Sequence, residues 1–312
     1  MPGRLSLVTE HAARILLEGI IDYAGLFPPA SLPMNIAVRN FAHYRASGSG
    51  WMLGRFVCPA NALDQFSASA EPLLPRDAGA IPWRLSATAS DSSHADVDRM
   101  SAFNERHRVC FDEAGAVVDS YEVKVSSEQQ IADLDALIPR DVLTYFELPL
   151  TTASALMPAV AATGRRAKIR TGGVTAEAFP TADAIVGFLE SAVEHGVAVK
   201  ATAGLHHPLR GTYRLTYDEQ PPLGCMFGYL NMFLAAAMIA QHASPHDVRR
   251  ALDASNSEAF SISETRVDWE YAQSHVEIDR MQLLRLREQV LVSFGSCSFT
   301  EPVDEIRALG WI

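Results

Sequence analysis

The stretches "AKIRTGG" (167–173) and "VAVKATAG" (197–204) decide how this chain is read. Each is a short β-like run ending in a glycine loop, and each carries a lysine, Lys168 or Lys200, within the run. Strand side chains alternate between two faces. In the first run the apolar Ile169 takes the face that meets a helix layer, so Lys168 and Arg170 turn the other way. In the second, Val199 and Ala201 face the helices, and Lys200 and Thr202 turn inward.

Working outward, similar runs are read at 19–27, 52–60, 83–89, 120–125, 143–150 and 292–299. Helical candidates lie between them, at 33–47, 126–137, 151–163, 181–195 and 276–290. Strand then helix, repeated about eight times, is the signature of a parallel sheet with crossover helices. Over this length it favours an α/β chain folded as a (β/α)8 TIM-like barrel over an open doubly wound sheet. Residues 205–291, between the seventh and eighth strands, are expected to hold three or four helices as an insertion. No Gly/Ser linker or low-complexity run divides the chain, so residues 1–312 are expected to form a single barrel domain with that insertion inside it.

The bulk composition agrees. The chain has 312 residues, 48% hydrophobic and 20% charged, which suits a globular core. A formal charge of −11 with no Lys/Arg run excludes a nucleic-acid partner, because phosphate neutralisation needs a clustered cationic surface. Cys58, Cys110, Cys225 and Cys297 show no CxxC spacing. Neither a disulfide framework nor a zinc ribbon is expected, and a reduced, cytoplasmic setting is the default. The start, "MPGRLSLVTEHAARILLEG" (1–19), places Glu10 and His11 where a signal peptide would be apolar, and reads instead as an amphipathic helix. "LGCMFGYLNMFLAAAMIA" (223–240) has no charge. Pro221 and Pro222 precede it and Asn231 interrupts it, so it reads as a helix buried in a core or at a homo-oligomer contact, not as a membrane span.

By the same alternation Glu122 and Lys124 point inward in "SYEVKV" (120–125), as does Glu147 in "LTYFELPL" (143–150). The lumen is then expected to hold Glu122, Lys124, Glu147, Lys168, Arg170 and Lys200, where barrels ordinarily carry branched apolar residues. Ion pairing alone would account for any one of them. An apolar filling would fold as well and cost less, so the set as a whole points to a site. Two inward lysines on adjacent strands should repel, and burial also disfavours their charge; both effects are expected to lower a lysine pKa and expose a free amine. A free amine is the nucleophile of Schiff-base chemistry, and Glu147 would move protons.

"KIRTGG" followed by "VKATAGL" resembles the sixth and seventh strands of the deoxyribose-phosphate aldolase family of class I aldolases. The resemblance implies a barrel in which Lys168 forms the Schiff base and Lys200 perturbs its pKa. "SFGSCSF" (293–299) is faintly similar to the family's last, phosphate-gripping strand. Arg170 stands where the family has a small residue, and Ala203 where it has a glycine. No aspartate matches the family's proton-relay acid, so Glu122 or Glu147 would have to take that role.

Past the strand ends, Arg170, Thr171, Gly172 and Gly173, with Arg210, could hold a small anionic, for example phosphorylated, substrate; a tight turn explains the glycines equally well. His206 and His207 are candidate acid/base or substrate contacts, and Asn231 could reach the site from the insertion. Cys297 reads as a packing thiol before a nucleophile, and Asp22 as either a site acid or a loop cap. No cofactor is expected. The alternative is a divalent metal held by Glu147, His206 and His207, with or without Glu301, in a metal-dependent lyase or hydrolase. A barrel that binds an anionic metabolite without turnover is the third reading.

Overall fold

The computed structural model describes residues 11–77, 79–110, 115–271 and 274–312. Eight parallel strands close into a barrel: β1 (Ile21–Tyr23), β2 (Leu53–Pro59), β3 (Trp83–Thr88), β4 (Ala116–Lys124), β5 (Leu143–Glu147), β6 (Arg166–Arg170), β7 (Val199–Thr202) and, last in the chain, β13 (Leu291–Ser296). They neighbour one another in sequence order, and β13 pairs with both β7 and β1 to close the ring. The (β/α)8 fold is therefore present, and all eight expected strands fall on it.

The outward faces are apolar because they meet helices. Phe56 of β2 packs edge-on against Phe41 of α2 (Met34–Ala46) at 5.4 Å and lies 5.1 Å from Phe66 of α3 (Leu63–Ala70). Around the barrel follow α4 (Ser93–Cys110), α5 (Glu128–Leu137), α6 (Ala153–Thr163) and α7 (Ala182–Glu194). Local chemistry sets their ends. Ser127 and Thr181 accept hydrogen bonds from the backbone N–H groups of Gln130 and Ala184 as N-caps, and Gly164 ends α6 at φ 69°. The expected N-terminal helix is seen in part, as α1 (Ala12–Leu17); residues 1–10 lie outside the described residues.

Between β7 and β13 the expected helices are present: α8 (Tyr229–Ala240), α9 (Pro245–Asp253) and α10 (Arg280–Gln289). They come with strands the sequence did not announce, a hairpin of β8 (Gly211–Arg214) with β9 (Leu223–Met226), and an antiparallel sheet of β10 (Phe260–Ile262), β11 (Arg266–Tyr271) and β12 (Ser274–Asp279). The helix expected at 276–290 starts only at Arg280, where Asp279 and Gln282 form a capping box. The uncharged run is a buried helix only from Tyr229 onward; its start, 223–226, is strand β9, with Leu223 and Cys225 exposed. Residues 229–239 of α8 are all buried, and Phe294 of β13 stacks on Tyr229 at 4.7 Å. Among the described residues no helix is long and apolar enough to cross a membrane. After β13 the chain ends in α11 (Thr300–Ala308).

Candidate active site

Because the barrel strands are parallel, their C-terminal ends share one mouth. One rung of the barrel carries the ionic residues: Lys124, Glu147, Lys168, Lys200 and Ser293 are register partners in turn across β4, β5, β6, β7 and β13. The amines and acids on and just below this rung form an alternating chain. Lys200 Nζ lies 2.6 Å from both Asp22 Oδ2 and Glu122 Oε1. Lys168 Nζ lies 2.8 Å from Glu122 Oε2 and 2.8 Å from Glu147 Oε2. Lys124 adds a loose contact of 3.9 Å to Glu147 from its exposed position at the rim.

Neutral groups complete the lumen. The Ser86 hydroxyl donates to Glu122 Oε1 at 2.6 Å. Asp22 accepts from the Arg55 backbone N–H at 2.7 Å and from the Ser293 hydroxyl at 3.1 Å. The Tyr145 ring lies 5.8 Å from Lys200 Nζ, a cation–π distance. Toward the opposite end of the barrel, Arg55 and the exposed Arg84 share Asp119.

This geometry corrects the expected electrostatics. Burial by itself would lower both lysines, but Glu122 and Glu147 outweigh it at Lys168, and Asp22 and Glu122 outweigh it at Lys200. Both amines are held above the ordinary lysine value. Burial pushes Glu122 the other way from its two lysines, and the lysines win, keeping its carboxyl well below the usual range. Adjacent lysines do not leave a bare amine when a carboxylate stands between them. Both are ammonium groups at rest.

The glycine loops are closely packed. Thr171 is buried, and its hydroxyl donates to the Ala203 carbonyl at 2.6 Å, tying the β6 loop to the β7 loop. A Cβ on Gly172 would lie 2.5 Å from the Phe179 ring, and one on Gly204 2.7 Å from the same ring. Phe179 thus fills the Cβ side of Gly172 and Gly204, while Ala178 crowds that of Gly173. Arg170 is exposed at the mouth, and Thr202 points into the lumen beside Gly295. Arg210 and Asn231 are committed elsewhere. The Arg210 guanidinium pairs with Asp253 at 2.5 Å, and the Asn231 side chain bonds the backbones of Arg210, Ala251 and Ala254. Both serve the insertion's own structure.

Above the rung lies a cavity of about 450 Å³, lined by Pro29, Gly173, His206, His207, Tyr217 and Glu301 among others. Buried His206 has Nδ1 3.0 Å from Ser296 Oγ, 3.7 Å from Glu301 Oε2 and 3.9 Å from Cys297 Sγ. Burial and then neighbouring His207 push its pKa down to about 4, so the imidazole is neutral. His207 turns away, to Glu305 at 2.7 Å, with its ring stacked on Tyr213 at 3.5 Å. Tyr217, on the β8–β9 hairpin, donates to Glu301 at 3.0 Å and comes within 3.7 Å of Cys297. Burial lifts the Cys297 thiol to about 11, which agrees with a packing role.

The structure thus brings Lys168, Lys200, Glu122 and Glu147 together, with Arg170, Thr202 and Lys124 at or near the mouth. It does not gather the metal alternative. Among the described residues the ligand atoms of Glu147, His206 and His207 do not lie within 4.8 Å of one another; Asp268, His275 and Glu277, on the β11–β12 sheet, are the set that does. Asp22, Ser86, Ser293 and Tyr217 are members the sequence left ambiguous or silent. For Asp22 strand alternation held a signal, since it shares β1 with Tyr23, whose ring packs outward against Phe41 and Phe56.

No family model matches this sequence, and no curated protein does. Among solved structures, the chain is similar to the deoxyribose phosphate aldolase from Aeropyrum pernix, a structure described as uniquely tetrameric. The two are 12% identical, over 99% of this chain and 100% of that one, with a TM-score of 0.34.

Proposed function

We propose that the protein is a lyase of the aldolase type, in which Lys168 forms an imine with a small anionic carbonyl compound. The observation that carries this is the position of one amine in the ionic chain. Lys200 is 1% exposed and enclosed by Asp22 and Glu122, whereas Lys168, 7% exposed, lies between Glu122 and the half-buried, mouth-side Glu147. The reactive lysine is the one a carbonyl can reach.

At rest Lys168 is an ammonium, so it must lose a proton before its nitrogen can attack. Glu122 is the poorer acceptor, because two ammonium groups hold it ionised. Glu147 takes the proton instead. The amine then adds to the carbonyl carbon, and the carbinolamine loses water as Glu147 returns the proton to the departing hydroxyl, leaving a protonated imine. Cleavage of the adjacent carbon–carbon bond sends its electron pair toward the iminium and releases an aldehyde, while the proton of the cleaved alcohol passes to a carboxylate. Reprotonation of the enamine and addition of water free the second product. Lys200 keeps Glu122 ionised and in place throughout, and Arg170, Lys124 and Thr202 face the anionic end of the substrate.

Borohydride trapping with pyruvate, acetaldehyde and dihydroxyacetone phosphate tests this. A reduced adduct on the peptide bearing Lys168, absent in Lys168→Met, supports it. Turnover of any carbonyl compound with no adduct on either lysine rules out imine chemistry.

A second reading draws on the same chain: each amine already has two carboxylates, as a scaffold holding an anion at the mouth without turnover would require. It expects ligand binding that survives Lys168→Met, with no adduct.

A further inference from the structure

At the other end of the barrel, where β6, β7 and β13 begin, lies a cavity of about 650 Å³. Its wall includes the C-terminal ends of α6, α7 and α8, one side of α10, three arginines, Arg165, Arg166 and Arg285, and one acid, Glu288, exposed on α10. The arginines differ in what they have left to give. Arg165 is buried and spends its guanidinium on Asp135, Thr144 and the carbonyls of Ile138, Pro139 and Val142. Arg166 is half-buried at the base of the lumen and donates to the Tyr145 hydroxyl at 2.9 Å. Among the described residues no carboxylate oxygen lies within the 4.0 Å of an ion pair to Arg166 or to Arg285, which is exposed on α10. Beside Arg285, the Gln282 amide oxygen accepts from the Asp279 N–H, and among the described residues its NH2 has no acceptor.

Helix C-termini draw cations, which explains why guanidiniums collect on this rim. It does not supply Arg166 with an acceptor for the rest of its fork. A half-buried guanidinium with open donors gains most from a planar or tetrahedral oxyanion, which it can hold by two parallel N–H···O bonds. We propose that the N-terminal end of the barrel is a binding site for a small oxyanion, a phosphate or carboxylate group, gripped by Arg166 from the barrel floor and closed over by Arg285 from α10. This site lies at the opposite end of the barrel from the lysine mouth, with Tyr145 between Arg166 and Lys200, and it does not rest on the chemistry proposed for the lysines.

Calorimetric titration of the full chain with inorganic phosphate, and separately with acetate, at fixed ionic strength provides the test. The expected result is a saturable component that weakens about tenfold or more in Arg166→Gln, since a bidentate charge-assisted pair is lost. It should weaken several-fold in Arg285→Gln and be unmoved by Arg170→Gln at the mouth. Arg166→Gln also disturbs Tyr145, so the exposed Arg285→Gln is the variant that keeps the test sound if the first fails to fold. The ratio of the two anions' affinities names the group preferred. Absence of a saturable component for both anions, or one that survives the floor variants and vanishes with Arg170→Gln, overturns the site.

Discussion

Lys168 and Lys200 are direct register partners on β6 and β7, and Glu122 joins their amines, one carboxylate oxygen to each. Bare ammonium groups at strand spacing would repel by about 3 kcal/mol at an effective dielectric near 20. The bridging acid, with Asp22 and Glu147 at the two ends, converts that repulsion into an alternating chain. The cluster's protonation at rest therefore follows from the acids as much as from the lysines.

Removing the bridge should be the most damaging single change. Glu122→Gln leaves two buried ammonium groups short of a partner and is expected to cost about 3–5 kcal/mol. Adding Lys200→Met removes the worst of the uncompensated charge, so the double variant should regain at least about 1 kcal/mol over the single one. Denaturant unfolding of the parent and the two variants measures this. A Glu122→Gln protein as stable as the parent would mean the bridge does not exist in solution.

The same chain sets the pH limits of stability. Lys168 and Lys200 have folded-state values above the ordinary one, so their contribution is complete below about pH 10.4, the unfolded value, and is lost as pH rises from there through the folded values. Glu122 has a depressed value, so its contribution is complete above about pH 4.3 and is lost as pH falls below that. Urea unfolding between pH 7 and 11 should show an alkaline decline that Lys200→Met makes shallower. An equal decline in both proteins would contradict the pairing.

Alternation along each strand was enough to turn Lys168, Lys200, Glu122 and Glu147 inward, and strand–helix recurrence was enough to close the barrel. Which acid reaches which lysine was not legible, because that depends on the stagger between strands. Lys200 Nζ meets Asp22, 178 positions earlier, only because β1 and β7 flank β13. The β8–β9 hairpin escaped because each strand has four residues, too few for a period to show. Phe179 gave no sign of its place either: the glycines it packs against lie on two different loops. Neutral His206 beside Ser296 and Cys297 joins loops whose adjacency only the closed ring creates.

Glu147 and Lys168 should separate by function. If Glu147 carries the proton, Glu147→Gln is expected to lower turnover about 10²–10⁴-fold while borohydride still traps substrate on Lys168, slowly. Single-turnover rates and adduct mass measure the two steps apart. Unchanged turnover removes Glu147 from the chemistry and leaves it as an ion-pair partner.

The four thiols should divide in two. Cys110 and Cys225 are exposed, whereas Cys58 and Cys297 are buried, with burial lifting them to about 12 and about 11. The thiolate is the reactive form, so an aromatic disulfide reagent at pH 8 should react quickly with two cysteines and with the other two only after unfolding. Fast native labelling of Cys297 would show instead that the mouth opens beneath Tyr217 and that His206 activates the thiol.

The glycine loops provide the last test, because packing and anion binding make opposite predictions there. A methyl group on Gly172 would lie 2.5 Å from the Phe179 ring, so Gly172→Ala should cost about 1–3 kcal/mol as an overpacked contact. Phe179→Ala opens the space the methyl needs, so the pair should be less destabilising together than the sum of the two alone, by about 0.5 kcal/mol or more. Thermal or denaturant unfolding of the cycle reads the coupling. If Gly172→Ala leaves stability intact and instead raises KM for an anionic substrate, the backbone beside Gly172 is open to the ligand and the loop is the cradle its sequence first suggested.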